Sequence, residues 1–504
     1  MRAEPAASVD LRLVPAALTA WAVTAAGIVW SIGALLAAAC MVGAAGWAAL
    51  VWWRGEVTPA LRAAAAAVIG TAVIGAGFGV AVALRDAAVR GHPITQGFGT
   101  AASLTVTPTE SPRSLGNGRI MFRANLNRLG DGDMSGRVVV FAPVLGFGEL
   151  SAGQPARFRA RIGRPTRRDL TVAVLNASGE PVLGRASPVQ RVAQTVRSRF
   201  AATALQVLPV DQAAMLPGLV LGDTSAVPPA TTAQFRTAGL THLTAVSGAN
   251  VTIVCGAVLL SGRLVGPRSA VGLAAVALVA FVIVVQPTAS VLRAAVMGAL
   301  ALLAVLAGRR RQAIPVLSAA VLTLLVAAPQ LAVDVGFALS VSATAALIVL
   351  APVWSTRLVA RGWPKALADA VSIALAAQVV TAPLIAAISG QLSLISVLAN
   401  LAVAVVIPPI TVLGTAAAAL CPLWAPGAVV LIRFTGPELW WLLHVARWAD
   451  AVPGAALAVP SGPGGVILVG AVGVLVVVGV GRCRRGVKRS GRERDGGQSA
   501  FDPG

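Results

Sequence analysis

The chain has 504 residues, of which 57% are hydrophobic and 12% charged, and its mean hydropathy is +0.82. That composition excludes a water-soluble globular protein and indicates a polytopic α-helical membrane protein. The formal charge of +21 sets 40 basic side chains against 19 acidic ones; only Lys365 and Lys488 are lysines, in a chain rich in Ala, Val and Gly, so where the charge sits informs more than its sum.

Residues 1–12 read as a cytoplasmic amino terminus and 13–90 as three transmembrane helices. The uncharged run from Leu13 to Trp53 is about twice the ~20 residues that one crossing needs, which predicts a tight helical hairpin. A third span fits Ala63 to Leu84 between Arg62 and Arg85, and Trp47, Trp52 and Trp53 stand where interface anchors belong. Cys40 follows an apolar run that continues past it, so it reads as membrane helix and not as a processed signal. The four cysteines are scattered, with neither a disulfide framework nor zinc spacing.

Residues 98–190 differ in character. Short alternating runs, SLTVTP, RIMFRANL, GRVVVFAP, ARFRARI and LTVAVLN, are separated by Gly, Pro, Asn and Asp turns, which predicts an inserted small all-β (OB-like) extracytoplasmic domain. Between Phe98 and Phe200 there are fifteen arginines and six acidic residues. Arg157, Phe158, Arg159, Arg161, Arg164, Arg167 and Arg168 form the densest cluster, a candidate surface for the phosphates of a single strand. A merely solvated basic face explains the same residues. Gln190 to Leu208 reads as an amphipathic helix with Arg191, Arg197 and Arg199 on its polar side, within an amphipathic linker of 191–216 that leads back to the membrane.

From 217 to 481 apolar segments follow one another almost without a break. Arg309, Arg310 and Arg311, and then Arg357, Arg361 and Lys365, mark cytoplasmic loops. The uncharged stretch from Ala370 to Ile432 suits three spans, or two with a re-entrant piece, and Pro408, Pro409 and Pro422 favour a break. Residues 482–504 read as a basic disordered tail. Its GRCRRGVK lacks the spacing of a phosphate-binding loop, so the sequence carries no nucleotide, metal or other cofactor site.

Within the last region, PGLVLGDTSAVPPATTAQFRTAGLTHLTAVSGANV (217–251) brings Gly222, Asp223, His242, Ser247, Gly248 and Asn250 to the edge of the bilayer. Gly222-Asp223-Thr224 reads as a turn, Pro228 to Phe235 as the start of a helix and Gly239 as its stop. Small polar groups inside an apolar run break a helix or line a path for solvent. Helix capping by Asp223 and local bonding by the serine explain them equally. Ser247 and His242 also offer a hydroxyl and an imidazole five residues apart, but no carboxylate accompanies them.

The order of these residues closely resembles the signature of the ComEC family, the membrane channel of bacterial competence. That signature runs Gly-Asp, then Gly-Leu-X-His, then Ser-Gly-X-His-Val. Further matches follow in order. Leu292 to Met297, around Arg293, resembles the family's Arg-Ala segment, and Asp334 to Ser340 resembles Asp-Pro-Gly-Phe-Gln-Leu-Ser. Pro383-Leu384 and Ala399-Asn400-Leu401 resemble the later segments. Asn250 stands where many members have His, Val335 replaces Pro and Ala338 replaces Gln.

The resemblance implies a channel for single-stranded DNA, with membrane lipid around it and a separate DNA receptor, nuclease and cytoplasmic translocase as partners; it leaves a homo-oligomer open. Many members also carry a metallo-β-lactamase-like domain. This chain has three histidines, His92, His242 and His444, too few for a two-metal hydrolase cluster, so any nuclease is another protein. On this reading Arg293 faces a water-filled path; as a snorkelling arginine it would only reach the interface. Asp334 reads equally as the junction of two spans, and Gln286, Gln378 and Asn400 as helix-to-helix hydrogen bonds. A transporter or scaffold of the same fold not dedicated to DNA is the alternative.

Overall fold

A computed structural model describes residues 10–54, 58–148, 150–244, 246, 248–262, 266–286, 288–306, 312–473 and 475. Ser247, Arg309 to Arg311 and the basic tail lie outside the described residues.

Helices α1 (Val14–Trp30) and α2 (Gly33–Trp53) form the expected hairpin, turned at Ser31 in the left-handed region. Helix α3 (Pro59–Arg90) opens on Pro59, with the Thr58 hydroxyl accepting from the Leu61 N–H. It lies close against α2, because a Cβ on Gly79 would come within 2.8 Å of the Gly33 carbonyl oxygen. Small residues permit such backbone approach between membrane helices.

A 3-10 turn at Pro93–Gly97 leads into the barrel, formed by β1 (Ala101–Pro108), β2 (Arg113–Gly116), β3 (Arg119–Leu129), β4 (Gly132–Pro143), β5 (Ala156–Gly163) and β6 (Ala173–Leu183). The sheet order is β1-β5-β6-β4-β3-β2, and an additional β1–β3 pairing closes five strands into a ring with β2 as an added edge. The pairs are antiparallel except β4 with β6. This is the OB arrangement, in which β3 and β4 are the second and third barrel strands. The inward positions fill the core with Leu104, Val106, Phe122, Val140, Ile162 and Leu175. A short turn of helix, α4 (Val144–Phe147), puts the Phe147 ring against Phe158 with centroids 5.1 Å apart.

Past the barrel, α5 (Pro188–Val207) begins with the Ser187 hydroxyl accepting from Gln190. It covers the helix expected over Gln190 to Leu208 and ends at Val207, short of the end of the 191–216 linker. Pro209 starts a separate helix, α6 (Val210–Leu221), whose residues from Ala213 onward are all buried. The remaining elements are α7 (Pro229–Thr237), a 3-10 turn (Thr241–Leu243), α8 (Gly248–Gly262), α9 (Pro267–Val285), α10 (Ala289–Leu306), α11 (Ala313–Ala327), a 3-10 turn (Pro329–Val333), α12 (Val335–Val359), α13 (Lys365–Ser389), β7 (Gln391–Ser393), α14 (Ser396–Val403), α15 (Ile407–Leu420), α16 (Ala425–Phe434), α17 (Gly436–Ala451) and β8 (Ala456–Ala458). One apolar cluster joins α5, α6, α8, α9, α10 and α14 to α17 around the buried α6.

Among the described residues five helices are long and apolar enough to cross a membrane. A sixth crossing results if α14 and α15, bent by 54°, act together. That bend is the break the prolines at 408 and 409 anticipate. The ends of α1, α9 and α11 and the start of α12 meet the barrel or its flanking segments. Arg54, Arg62, Arg268, Arg357, Arg361 and Lys365 lie at the opposite helix ends. The positive-inside rule puts that end in the cytoplasm and the barrel outside. The chain is thus a multi-pass membrane protein with an inserted extracytoplasmic barrel.

Candidate functional site

The segment from 217 to 251 is built around the end of α6. Gly222 takes φ 73° and stops that helix. The carbonyls that the last turn leaves unpaired are then taken by side chains: the Asn250 amide donates to Leu219 O at 3.0 Å, and Arg197 donates to Leu221 O at 3.0 Å. Arg197 also donates to Val284 O at 3.1 Å and pairs with Asp223 at 3.5 Å. The second oxygen of Asp223 accepts from the Ser225 backbone and hydroxyl at 3.2 and 2.6 Å. Asp223 and Asn250 are thereby brought to one place. Arg197 corrects the sequence reading: it is 5% exposed, turned inward from α5, and not on the polar side. His242 is exposed on its 3-10 turn.

Gly248 and Ser340, far apart in sequence, each meet Arg293 where α8 and α12 pack on α10. Arg293 is 6% exposed. Its Nε donates to the Ser340 hydroxyl at 2.8 Å, and the Ser290 and Ser340 hydroxyls are 3.2 Å apart. A further nitrogen donates to the Met297 sulfur at 3.2 Å. No carboxylate lies within 4 Å of Arg293 among the described residues. A Cβ on Gly248 would stand 2.9 Å from Arg293 Nη2, so this glycine leaves the space that the guanidinium occupies. Arg293 and Ser340 both sit in the second turns of their helices, on the end that faces the barrel.

The barrel docks just above. The loop between its first two ring strands places Ser111 on Gln286, whose Oε1 accepts from the Ser111 N–H at 3.2 Å and hydroxyl at 3.0 Å. Gln286 has φ 74° and ψ 145°, a conformation that almost only glycine adopts and that costs about 1–3 kcal/mol. Asp334 caps α12 by accepting from Phe337 N at 2.8 Å, and its other oxygen lies 4.0 Å from Arg123 of β3. Glu110 in the same loop pairs with Arg113 at 3.4 Å and with Arg123 at 3.8 Å. OB folds bind their ligands on the second and third strands and the loop between the first two. Here that loop meets Gln286 between α9 and α10, and β3 meets the start of α12. On β4, burial pushes the Arg137 guanidinium below the usual arginine range, and repulsion from Arg123 adds to it.

Gln378 and Asn400 are joined through a residue the sequence did not mark, Ser396. The Ser396 hydroxyl donates to Gln378 Oε1 at 2.9 Å, while Asn400 donates to the Ser396 carbonyl at 2.9 Å. Gln378 also donates to Ser393 O at 3.3 Å. Gly239, with φ 71°, lies so near that its Cβ would come 2.5 Å from that of Ser396. A serine at a helix start reads as an ordinary cap, which hides this role.

On the barrel, Arg157, Arg159 and Arg161 alternate outward along β5, exposed in a row. Phe158 is corrected: at 3% exposure it belongs to the core and offers no ring to a base. The row lies on the fourth barrel strand, away from the second and third. Arg164 stands 5.9 Å over the Phe98 ring, and Arg167 is exposed. Arg168 donates to Val29 O at 2.9 Å, so it ties the barrel to the end of α1.

Among the described residues no group of three or more His, Cys, Asp and Glu side chains is placed to hold a metal ion. No curated protein and no solved structure matches the chain. A family model described as Competence protein matches residues 219–483, just over half of the chain, and includes the Gly222 to Asn250 segment, Arg293, Asp334, Ser340, Gln378 and Asn400. With its helical membrane core and external OB-like barrel, this chain belongs to the competence protein family of ComEC type, a family of membrane channels.

Proposed function

We propose that the chain is a passive conduit for single-stranded DNA across the cytoplasmic membrane. The observation that carries this reading is the docking of the barrel's first loop, through Ser111 on Gln286 between α9 and α10, and of the adjoining β3, through Arg123 on Asp334 at the start of α12. A strand held on that side of the barrel stands over Arg293 and Ser340. Both the family's role and the buried cation favour a polyphosphate cargo, since guanidinium groups pair with phosphate wherever the sequence varies. In this reading residues 217–481 form the conduit, 98–190 the receiving domain and 191–216 the connection. A cytoplasmic translocase supplies energy, and a separate receptor and nuclease deliver a single strand. Two or more chains assembling around one path is compatible with it.

A conduit for another polyanion is the second reading, and the burial of Phe158 favours it, because charge without ring stacking recognises phosphate and not bases. Deleting the gene and measuring internalised labelled DNA tests the first reading. Loss of uptake, restored by the intact gene, supports it; undiminished uptake refutes it.

A further inference from the structure

Two voids meet at Arg85 and Pro329, where α3 leaves the bilayer. One, of about 320 Å3, is an apolar slot between α1, α3 and α11, lined by Ile74, Gly77, Phe78, Ala81 and Leu325. The other, of about 270 Å3, lies between the helix ends and β4 and is lined by His92, Ser135 and Arg137. Both include Arg85 and Pro329 among their walls, so an apolar slot adjoins a void that carries two guanidinium groups, Arg85 and Arg137.

We propose that this joint groove binds one anionic phospholipid, an acyl chain lying in the slot beside Gly77 and the phosphate held between Arg85 and Arg137. Arg85 spends one N–H on Val326 O at 3.2 Å, and a guanidinium carries five donors. Arg137 is half-buried and has no carboxylate within 4 Å among the described residues. Asp169, Glu110 and Asp334 act on it only from a distance, so its donors are open to a phosphate. At Gly77 an added Cβ would meet no atom within 4 Å, so the slot is open there. Arg85 closes the apolar stretch of α3 at the headgroup level, and basic pockets between membrane helices hold anionic headgroups. The contiguous apolar slot favours a lipid over a nucleic acid, which has nothing to place in it. Bound there, the lipid joins α3 to β4 and fixes the barrel's seat on the membrane domain, independently of what the conduit carries.

Native mass spectrometry of the full chain in detergent tests this, with dioleoyl phosphatidylglycerol, dioleoyl phosphatidylcholine, inorganic phosphate and a single-stranded oligonucleotide as probes. One phosphatidylglycerol per chain is expected to be retained in preference to phosphatidylcholine. R85Q/R137Q should lower its occupancy about tenfold, a loss equivalent to ~1.4 kcal/mol. G77L, which fills the slot and keeps both guanidinium groups, should lower it comparably, with a monodisperse, cooperatively melting protein in each case. Equal retention of phosphatidylcholine, normal retention by G77L, or displacement of the lipid by phosphate or the oligonucleotide would overturn the proposal, the last two by assigning the site to phosphate alone.

Discussion

Arg197 and Arg293 are both buried guanidinium groups, and they differ in one respect: Arg197 has Asp223 at 3.5 Å, whereas Arg293 has the neutral hydroxyl of Ser340 at 2.8 Å. The first holds a helix end together. The second stores an uncompensated cation at the outer ends of α8, α10 and α12.

These two arginines should answer the same substitution differently. R197M leaves the Leu221 and Val284 carbonyls without their side-chain donor and Asp223 without its cation, and stranding buried acceptors costs about 1–3 kcal/mol. R293M removes a desolvated charge and strands only a hydroxyl, so its melting temperature should stay level or rise. Thermal unfolding of both variants in one detergent decides the matter; equal destabilisation would show that Arg293 is structural as well.

Asn250 stands where the family signature has His, and its amide donates to the Leu219 carbonyl. An imidazole N–H can make the same bond, so N250H should keep near-normal stability. N250L should lose about 1–3 kcal/mol, because a buried carbonyl is left unpaired. Melting curves of the two variants measure the difference.

The strained backbone at Gln286 is held by the barrel through Ser111. Q286G should relieve the strain, leaving global stability unchanged or raised, yet free the loop at 109–113 from its anchor. Hydrogen exchange should then speed up in that loop, and S111A should speed it likewise while global stability falls slightly. Unaltered exchange in both variants would mean that other contacts seat the barrel.

If the exposed row on β5 touches phosphate, R157Q/R159Q/R161Q should flatten the salt dependence of single-strand affinity. Losing three contacts removes about 2 from the slope of log K against log salt. Fluorescence anisotropy across a salt series reads this directly. An unchanged slope would make the row a solvated face.

The barrel was legible because inward and outward residues alternate in the sequence itself: Ala156 to Gly163 reads in and out residue by residue, and the strand follows. The strand Arg113–Gly116 was not, since four exposed residues show no alternation. Arg197 was misplaced because a charge on an amphipathic helix ordinarily faces water, and its acceptors, the carbonyls of Leu221 and Val284, belong to other helix ends that periodicity cannot pair with it. The family motifs marked Arg293 and Ser340 separately; their contact depends on how α10 and α12 pack. Ser396 gave no signal at all, being one serine at the start of an apolar run.

The central claim is that a polyanion passes Arg293, and uptake in the native host tests it most directly. Labelled single strand entering the cytoplasm should be measured in a deletion strain carrying the intact gene, R293K or R293M at equal membrane levels. Full uptake with the intact gene, a partial level with R293K and near-background uptake with R293M is the expected result. Full uptake with R293M would contradict it.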